Sequence, residues 1–437
     1  MTAVKTPCDL IVTAQNVLTQ AQSPVLRDSG IAVKGNRVLA VKSRQELERE
    51  YEAANRLDMG ESILMPGLVN AHTHASMTLL RGIADDLPLH VWLAEHIFPR
   101  EAKLVPELIR LGASLACAEM TRYGVTAFAD MYLAENAVFE AAESSGLRML
   151  GGEGIFAFAS PGYQTEEEAF ALLREQAARW KDHPRIRVAV MPHAVYTTTP
   201  ALLEKCRDIA AELDLTIHMH LAETATETEE CLRAHGKRPL GYCAERGLLT
   251  SRTTLAHGVH FDDAELDLLA QKGSVVAHCP RSNMKLASGI ARVPEMLSRN
   301  IPVALGTDGA ASSNNLNLFQ EMTAAALLHK INAADPTAVP AREAIAMATL
   351  NGARALHWPG LGKIAEGGPA DIIAVDMTAP NMRPVHSPTS NLVYAATGAE
   401  VRLTMVEGEV LYKDGEYTRL DVDALFAKAQ EAAERLR

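Results

Sequence analysis

GLVNAHTH, residues 67–74, is a short apolar run that ends in two histidines one residue apart. A run of that length, bounded by polar and turn residues, reads as a strand buried on both faces. Seven further runs share its form: VTAFADM (125–131), GLRMLGG (146–152), IRVAVMPH (186–193), LTIHMH (215–220), TTLAH (253–257), SVVAHC (274–279) and PVALGTD (302–308). Amphipathic stretches such as PELIRLGASLACAEMTRYG (106–124) and PALLEKCRDIAAEL (200–213) lie between them. Strands joined by helical crossovers are parallel. Eight such units predict an α/β chain with a (β/α)8 barrel of the TIM type over residues 66–364.

The two ends of the chain differ from the barrel and resemble each other. Residues 30–43 (GIAVKGNRVLAVKS) read as two strands around a Gly35-Asn36 turn, the short hairpin signature. Near the other end, ADIIAVDM (370–377) is followed by VRLTMVEGEVLYKDGEY (401–417), with turns at Glu407-Gly408 and Asp414-Gly415. Neither end can bury a face alone. The prediction is one small β-sandwich composed of residues 1–65 and 365–437, with the barrel inserted between them.

Composition narrows the function classes. The chain has 437 residues, 48% of them hydrophobic and 22% charged, which excludes a disordered chain or a fibre. The net charge of −12 opposes a phosphate backbone, so no nucleic-acid partner is expected. The six cysteines form no C-x-x-C pair and read as free thiols of a reducing compartment. Asp9 interrupts the apolar stretch near the N-terminus, and no run reaches the ~18 apolar residues of a membrane span. A cytoplasmic protein without a membrane partner is the expectation.

Six of the eight strand runs end in a residue able to bind a metal: His72 and His74, His193, His220, His257, His278 and Asp308. Barrel enzymes carry their chemistry at the C-terminal ends of the strands. Residues i and i+2 of a strand face the same way, so His72 and His74 point together into the barrel mouth. His220 and Asp308 complete a compact N3O set suited to Zn2+ or Fe2+, with one position kept for water. His218 is placed one layer deeper and is not counted as a ligand. Glu223, in HLAE (220–223), is either an N-cap of the following helix or a proton shuttle. Its place beside a metal ligand favours the shuttle.

Together these segments resemble the amidohydrolase superfamily, and PGLVNAHTHASMTLLRGIADDLPLHVWL (66–93) resembles its aminohydrolase branch, which includes the triazine hydrolases. MPHAVYT (191–197), HMHLAET (218–224), LAHGVHF (255–261), VVAHCPRSNMKLASGIARVPEML (275–297), VALGTDGAASSNNLNLFQEM (303–322) and GKIAEGGPADIIAVD (362–376) match further motifs of that branch. The resemblance covers essentially the whole chain. Within the branch it is strongest to the deaminases of 5-methylthioadenosine and S-adenosylhomocysteine. It implies one divalent metal per subunit, usually zinc, on His72, His74, His220 and Asp308. It implies that Glu223 moves protons to purine N1, that His257 orients the attacking water, and that Asp308 takes the hydroxide proton at the tetrahedral stage and helps expel ammonia. Glu101 is implied to hold the ribose hydroxyls, His193 to contact the nucleoside, and Trp92 and Ser312 to line the pocket. A dimer or tetramer of identical subunits is implied as well. His278 is read as structural. Strand 4 ends Pro192-His193, with no lysine to bridge two metals, so the site is read as mononuclear.

Three other readings stand beside this one: a deaminase of guanine or another free nucleobase, a cyclic amide or chlorotriazine hydrolase, and a non-catalytic assembly protein on the same fold. The residues after strand 3, MLGGEGIFAFASPGYQT (149–165), contain no Arg or Lys. With Glu153 placed to repel a carboxylate, and Phe156, Phe158 and Tyr163 suited to a methylthio group, this loop predicts a preference for 5′-methylthioadenosine over S-adenosylhomocysteine.

Overall fold

A computed structural model of the chain describes residues 4–87 and 91–436. The first five strands are β1 (Thr6–Val17), β2 (Leu26–Lys34), β3 (Arg37–Ser43), β4 (Tyr51–Asp58) and β5 (Ser62–Pro66). The next eight are β6 (Leu68–Thr73), β7 (Val125–Tyr132), β8 (Arg148–Ile155), β9 (Ile186–Pro192), β10 (Thr216–Leu221), β11 (Thr253–His257), β12 (Val275–His278) and β13 (Val303–Leu305). The last four are β14 (Ile372–Asp376), β15 (Val401–Val406), β16 (Glu409–Lys413) and β17 (Glu416–Tyr417).

Strands β6 to β13 pair in sequence order, each parallel to the next. The ring closes between the first and last of them. There the Asp308 N–H donates to the His72 carbonyl at 3.0 Å. The Asn70 side chain bonds both the hydroxyl and the N–H of Thr307. Helices between the strands bury one face each. Pro106–Arg122 turns Ile109, Ala113, Ala116, Cys117 and Met120 inward, at helical spacing. Gly112 on that helix lies so close to the segment after β6 that a Cβ would sit 2.4 Å from the Ser76 carbonyl oxygen.

The terminal strands form a second sheet in the order β17-β16-β15-β14-β5-β1-β2-β3, with β4 beside β1. β5 pairs antiparallel with β14, which joins the two ends of the chain. The layers of the expected sandwich are thus linked into one continuous sheet. Its N-terminal part (Val12, Ala14, Ile31, Val33) and its C-terminal part (Ile372, Ala374, Leu403, Met405) share one apolar cluster. The predicted turns are present: Gly35, and the pairs Glu407-Gly408 and Asp414-Gly415, have positive φ. The six cysteines are buried and free. Among the described residues no helix is long and apolar enough to cross a membrane.

Candidate metal centre and substrate cleft

His72 and His74 leave β6 on one side of the ring's seam, and Asp308 follows β13 on the other. Asp308 Oδ1 lies 3.5 Å from His72 Nε2 and 3.2 Å from His74 Nε2. His220, from β10, brings its Nε2 to 3.2 Å from His74 Nε2. Ligands about 2.0–2.1 Å from a tetrahedral zinc are separated by roughly 3.3 Å, so this spacing fits one small ion. His72 Nε2 is buried without a hydrogen-bond partner among the described residues, as a metal-facing nitrogen would be.

The outer nitrogen of each imidazole is already engaged. His72 Nδ1 meets His218 Nε2 at 3.0 Å, His74 Nδ1 meets the Met131 carbonyl at 2.6 Å, and His220 Nδ1 meets the His193 carbonyl at 2.9 Å. Such contacts fix ring orientation and present Nε2 to a metal. The end of β7 grips the ligand pair further. Asp130 accepts from the Thr73 hydroxyl at 2.5 Å and the Ala75 N–H at 2.6 Å, the residues on either side of His74. The hydroxyls of Ser282 and Ser312 both donate to Asp308 Oδ2, at 2.6 and 2.7 Å. Burial would raise the Asp308 carboxyl, but the imidazoles of His72, His74 and His257 beside it override that and hold it well below its ordinary value.

Glu223 is not the helix cap. Thr224 takes that place, its hydroxyl accepting from the Glu227 N–H, and the Glu227 carboxylate binds the N–H groups of Ala222 and Glu223. The Glu223 carboxyl is left beside His257, with Oε2 3.7 Å from His257 Nε2. Burial pushes it above its ordinary value, against the opposing pull of His257. His257 is fully buried, and its Nδ1 lies 2.9 Å from Asn283 Oδ1.

These groups open on a cleft of about 710 Å³. His74, His220, Glu223, His257 and Asp308 line its floor, and Trp92, Glu101, His193 and Ser312 line it too. All predicted site residues thus meet at this one place, with His72 directly behind. Burial raises the Glu101 carboxyl, and burial together with the neighbouring imidazoles pushes His193 down to about 3. His193 Nδ1 meets the Thr197 hydroxyl at 2.9 Å. His278 stays outside the cleft, its Nε2 3.1 Å from that of buried His329.

The tail loop departs from expectation at Glu153. β8 runs on to Ile155, so Glu153 belongs to the strand, and its carboxylate turns back onto the N–H groups of Ala134 and Glu135. It does not line the cleft and repels nothing there. Phe156 lines the cleft, Phe158 is exposed, and the Tyr163 hydroxyl bridges the Phe156 N–H and the Gly154 carbonyl. Sequence reasoning also passed over Ser282 and Asn283. The only signal was their place in PRSN (280–283), directly after a metal-competent strand end.

Comparison with known proteins agrees with this geometry. Residues 63–411 match the model of the Amidohydrolase family. A 5-methylthioadenosine/S-adenosylhomocysteine deaminase of Nitratidesulfovibrio vulgaris is 58% identical over 98% of this chain and 97% of its own. An adenosine deaminase of Xanthomonas campestris, solved with bound zinc, superposes with a TM-score of 0.98 at 38% identity, over 99% of this chain and all of its own. An atrazine chlorohydrolase of Arthrobacter aurescens complexed with zinc gives 0.89 at 25% identity, over 97% of this chain and all of its own. With a matching family model over most of its length and a histidine-rich centre that fits zinc, the chain belongs to the amidohydrolase family.

Proposed function

We propose that this protein is a zinc-dependent aminohydrolase that removes the 6-amino group of an adenine nucleoside, giving the inosine analogue and ammonia. The observation that carries the reading is Glu223: a buried carboxyl that neither caps a helix nor joins the N3O set, placed beside it on the cleft floor. Such a group suits proton transfer to a substrate ring nitrogen. The deaminase names of the relatives support it.

His72, His74, His220 and Asp308 would hold the metal, which supplies a water acidified towards neutral pH as the nucleophile. Glu223 delivers a proton to purine N1, which draws electron density from C6. His257 orients the water through Nε2. Asp308, with Oδ2 tied to two serines, takes the hydroxyl proton at the tetrahedral stage and passes it to the departing amine. Glu101 holds the ribose hydroxyls, His193 offers Nε2 to the nucleoside, and Trp92 with Phe156 packs on its apolar parts.

5′-Methylthioadenosine is the preferred substrate in this proposal, ahead of S-adenosylhomocysteine. Among the described residues no Arg or Lys lines the cleft, so a tail carboxylate has no charged partner there. An unpaired carboxylate costs ~1–3 kcal/mol, or roughly 5- to 150-fold in kcat/KM. Assay of both compounds with adenosine, guanine and a chlorotriazine decides it. The expected order puts 5′-methylthioadenosine first and shows no turnover of the last two. Equal values for the two thioethers would overturn the preference, and guanine or triazine turnover alone would overturn the nucleoside reading.

The proposal extends to organisation. Residues 1–65 and 365–437 act as one unit supporting the 66–364 barrel, in a cytoplasmic dimer or tetramer whose free cysteines suit a reducing compartment. Deleting 366–437 exposes the β5 edge that β14 covers, and the expected product is insoluble. A soluble, active truncate would overturn this division.

A further inference from the structure

His257 has two ring nitrogens, and its use in the cleft depends on which carries the proton. Its chain turns sharply out of β11 at the residue itself, where φ is 71°, and its ring lies against those of His72 and His220. Nε2 is the atom on the side of Glu223. Nδ1 faces away, to Asn283 Oδ1 at 2.9 Å. Asn283 belongs to a different βα unit, on the short helix Pro280–Lys285 after β12.

Asn283 sits at an internal cost. It is 1% exposed, and its Nδ2 has no hydrogen-bond partner among the described residues. A buried amide with half its hydrogen-bonding capacity unused is a poor packing residue, so the half that is used calls for a reason. An amide oxygen only accepts, so His257 Nδ1 carries a proton towards it, and in the neutral ring this leaves the lone pair on Nε2. A carboxylate in its place would also accept, but would favour imidazolium and add charge to an already acidic floor.

The turn that carries Asn283 is held from elsewhere. The preceding residue, Ser282, donates to Asp308, and the Arg281 N–H donates to buried Glu321 at 3.2 Å. One short helix thus contacts both Asp308, through Ser282, and His257, through Asn283.

We infer that Asn283 is a positioning residue: it selects the Nδ1–H tautomer of His257, so that Nε2 faces the cleft as a hydrogen-bond acceptor. The rate consequence rests on the deaminase reading, but the tautomer does not. The first test is therefore nitrogen NMR of 15N-histidine-labelled, zinc-loaded protein, with the His257 signals assigned by their loss in His257→Gln. The expected result is a protonated Nδ1 and an unprotonated Nε2 in the native protein. A protonated Nε2 with bare Nδ1 would overturn the inference, whatever the substrate proves to be. The second test compares Asn283→Leu, which removes the acceptor at similar volume, with Asn283→Asp, which restores it. Asn283→Leu should keep its zinc and KM within about threefold and lose roughly 100-fold in kcat, since a wrong tautomer turns the Nε2 that orients the water from acceptor to donor without displacing the ring. Asn283→Asp should recover to within about tenfold of native. Native kcat in zinc-replete Asn283→Leu, or equal loss in both variants, would overturn the positioning role. If Asn283→Leu does not fold, the native-protein NMR and Asn283→Asp still decide. Absent deaminase activity with the expected tautomer would instead locate the failure in the proposed reaction.

Discussion

The two ends of the barrel hold two buried clusters of charged and polar groups, and they are built on opposite terms. At the N-terminal end, Arg148 opens β8 with its side chain 3% exposed, and two carboxylates meet its charge. It meets Asp371 through Nε at 2.7 Å and Glu407 through Nη2 at 3.1 Å. Arg185 meets Glu407 at 2.8 Å and Glu409 at 2.9 Å. Asp371 directly precedes β14, Glu407 lies in the turn between β15 and β16, and Glu409 opens β16, so this network bolts the terminal sheet to the barrel. At the other end, the Nε2 atoms of His72, His74 and His220 and the Asp308 carboxylate crowd together, a set that would hold a metal ion. Buried charges satisfied by protein make structure, and ligand atoms that converge on one point suit a metal ion.

The largest test of this contrast is Asp308→Ala. It should abolish zinc binding and lower kcat/KM by more than about 10⁴-fold, with native circular dichroism, because the metal supplies the nucleophile. An active, metal-replete variant would remove Asp308 from the ligand set. Next is Glu223→Gln, which should keep its zinc by elemental analysis but lose about 10²–10⁴ in kcat, the usual worth of a general acid–base group. Near-native turnover would end the shuttle assignment.

At the opposite end, Asp371→Ala strands part of the Arg148 charge in the interior. It should lower unfolding free energy by about 3 kcal/mol in denaturant titrations while leaving zinc content and kcat unchanged. The smallest effect is expected from Arg148→Met combined with Asp371→Leu. Removing both charges should cost only about 1 kcal/mol, since a buried pair replaced by apolar groups is often near neutral. A double variant as unstable as Asp371→Ala would show that the network contributes more than the avoidance of an unpaired charge.

The same contrast explains what could be read from the sequence. The clustering of strand-borne residues was legible, because a period of two fixes which way His72 and His74 face, and a strand's end fixes the rim on which His220 and Asp308 stand. The paired ends of the chain were legible through their turn residues. Glu153 was misplaced for a related reason: β8 is three residues longer than its apolar run suggested, so parity puts the side chain in the outer wall. Asn283 and Ser282 stand on a short helix whose roll about its axis depends on Glu321, far along the chain. The Arg148 network joins residues 223 apart and leaves no local pattern at all.

The seam between β6 and β13 gives the ligand set a mechanical meaning. The first and last strands of the ring meet through Asn70 and Thr307, 237 residues apart, and through the bond from Asp308 to the His72 carbonyl. An ion shared by His72, His74 and Asp308 therefore spans the joint where a linear chain becomes a closed ring. Binding of such an ion would favour the closed ring, and loosening the seam would weaken its hold on the ion.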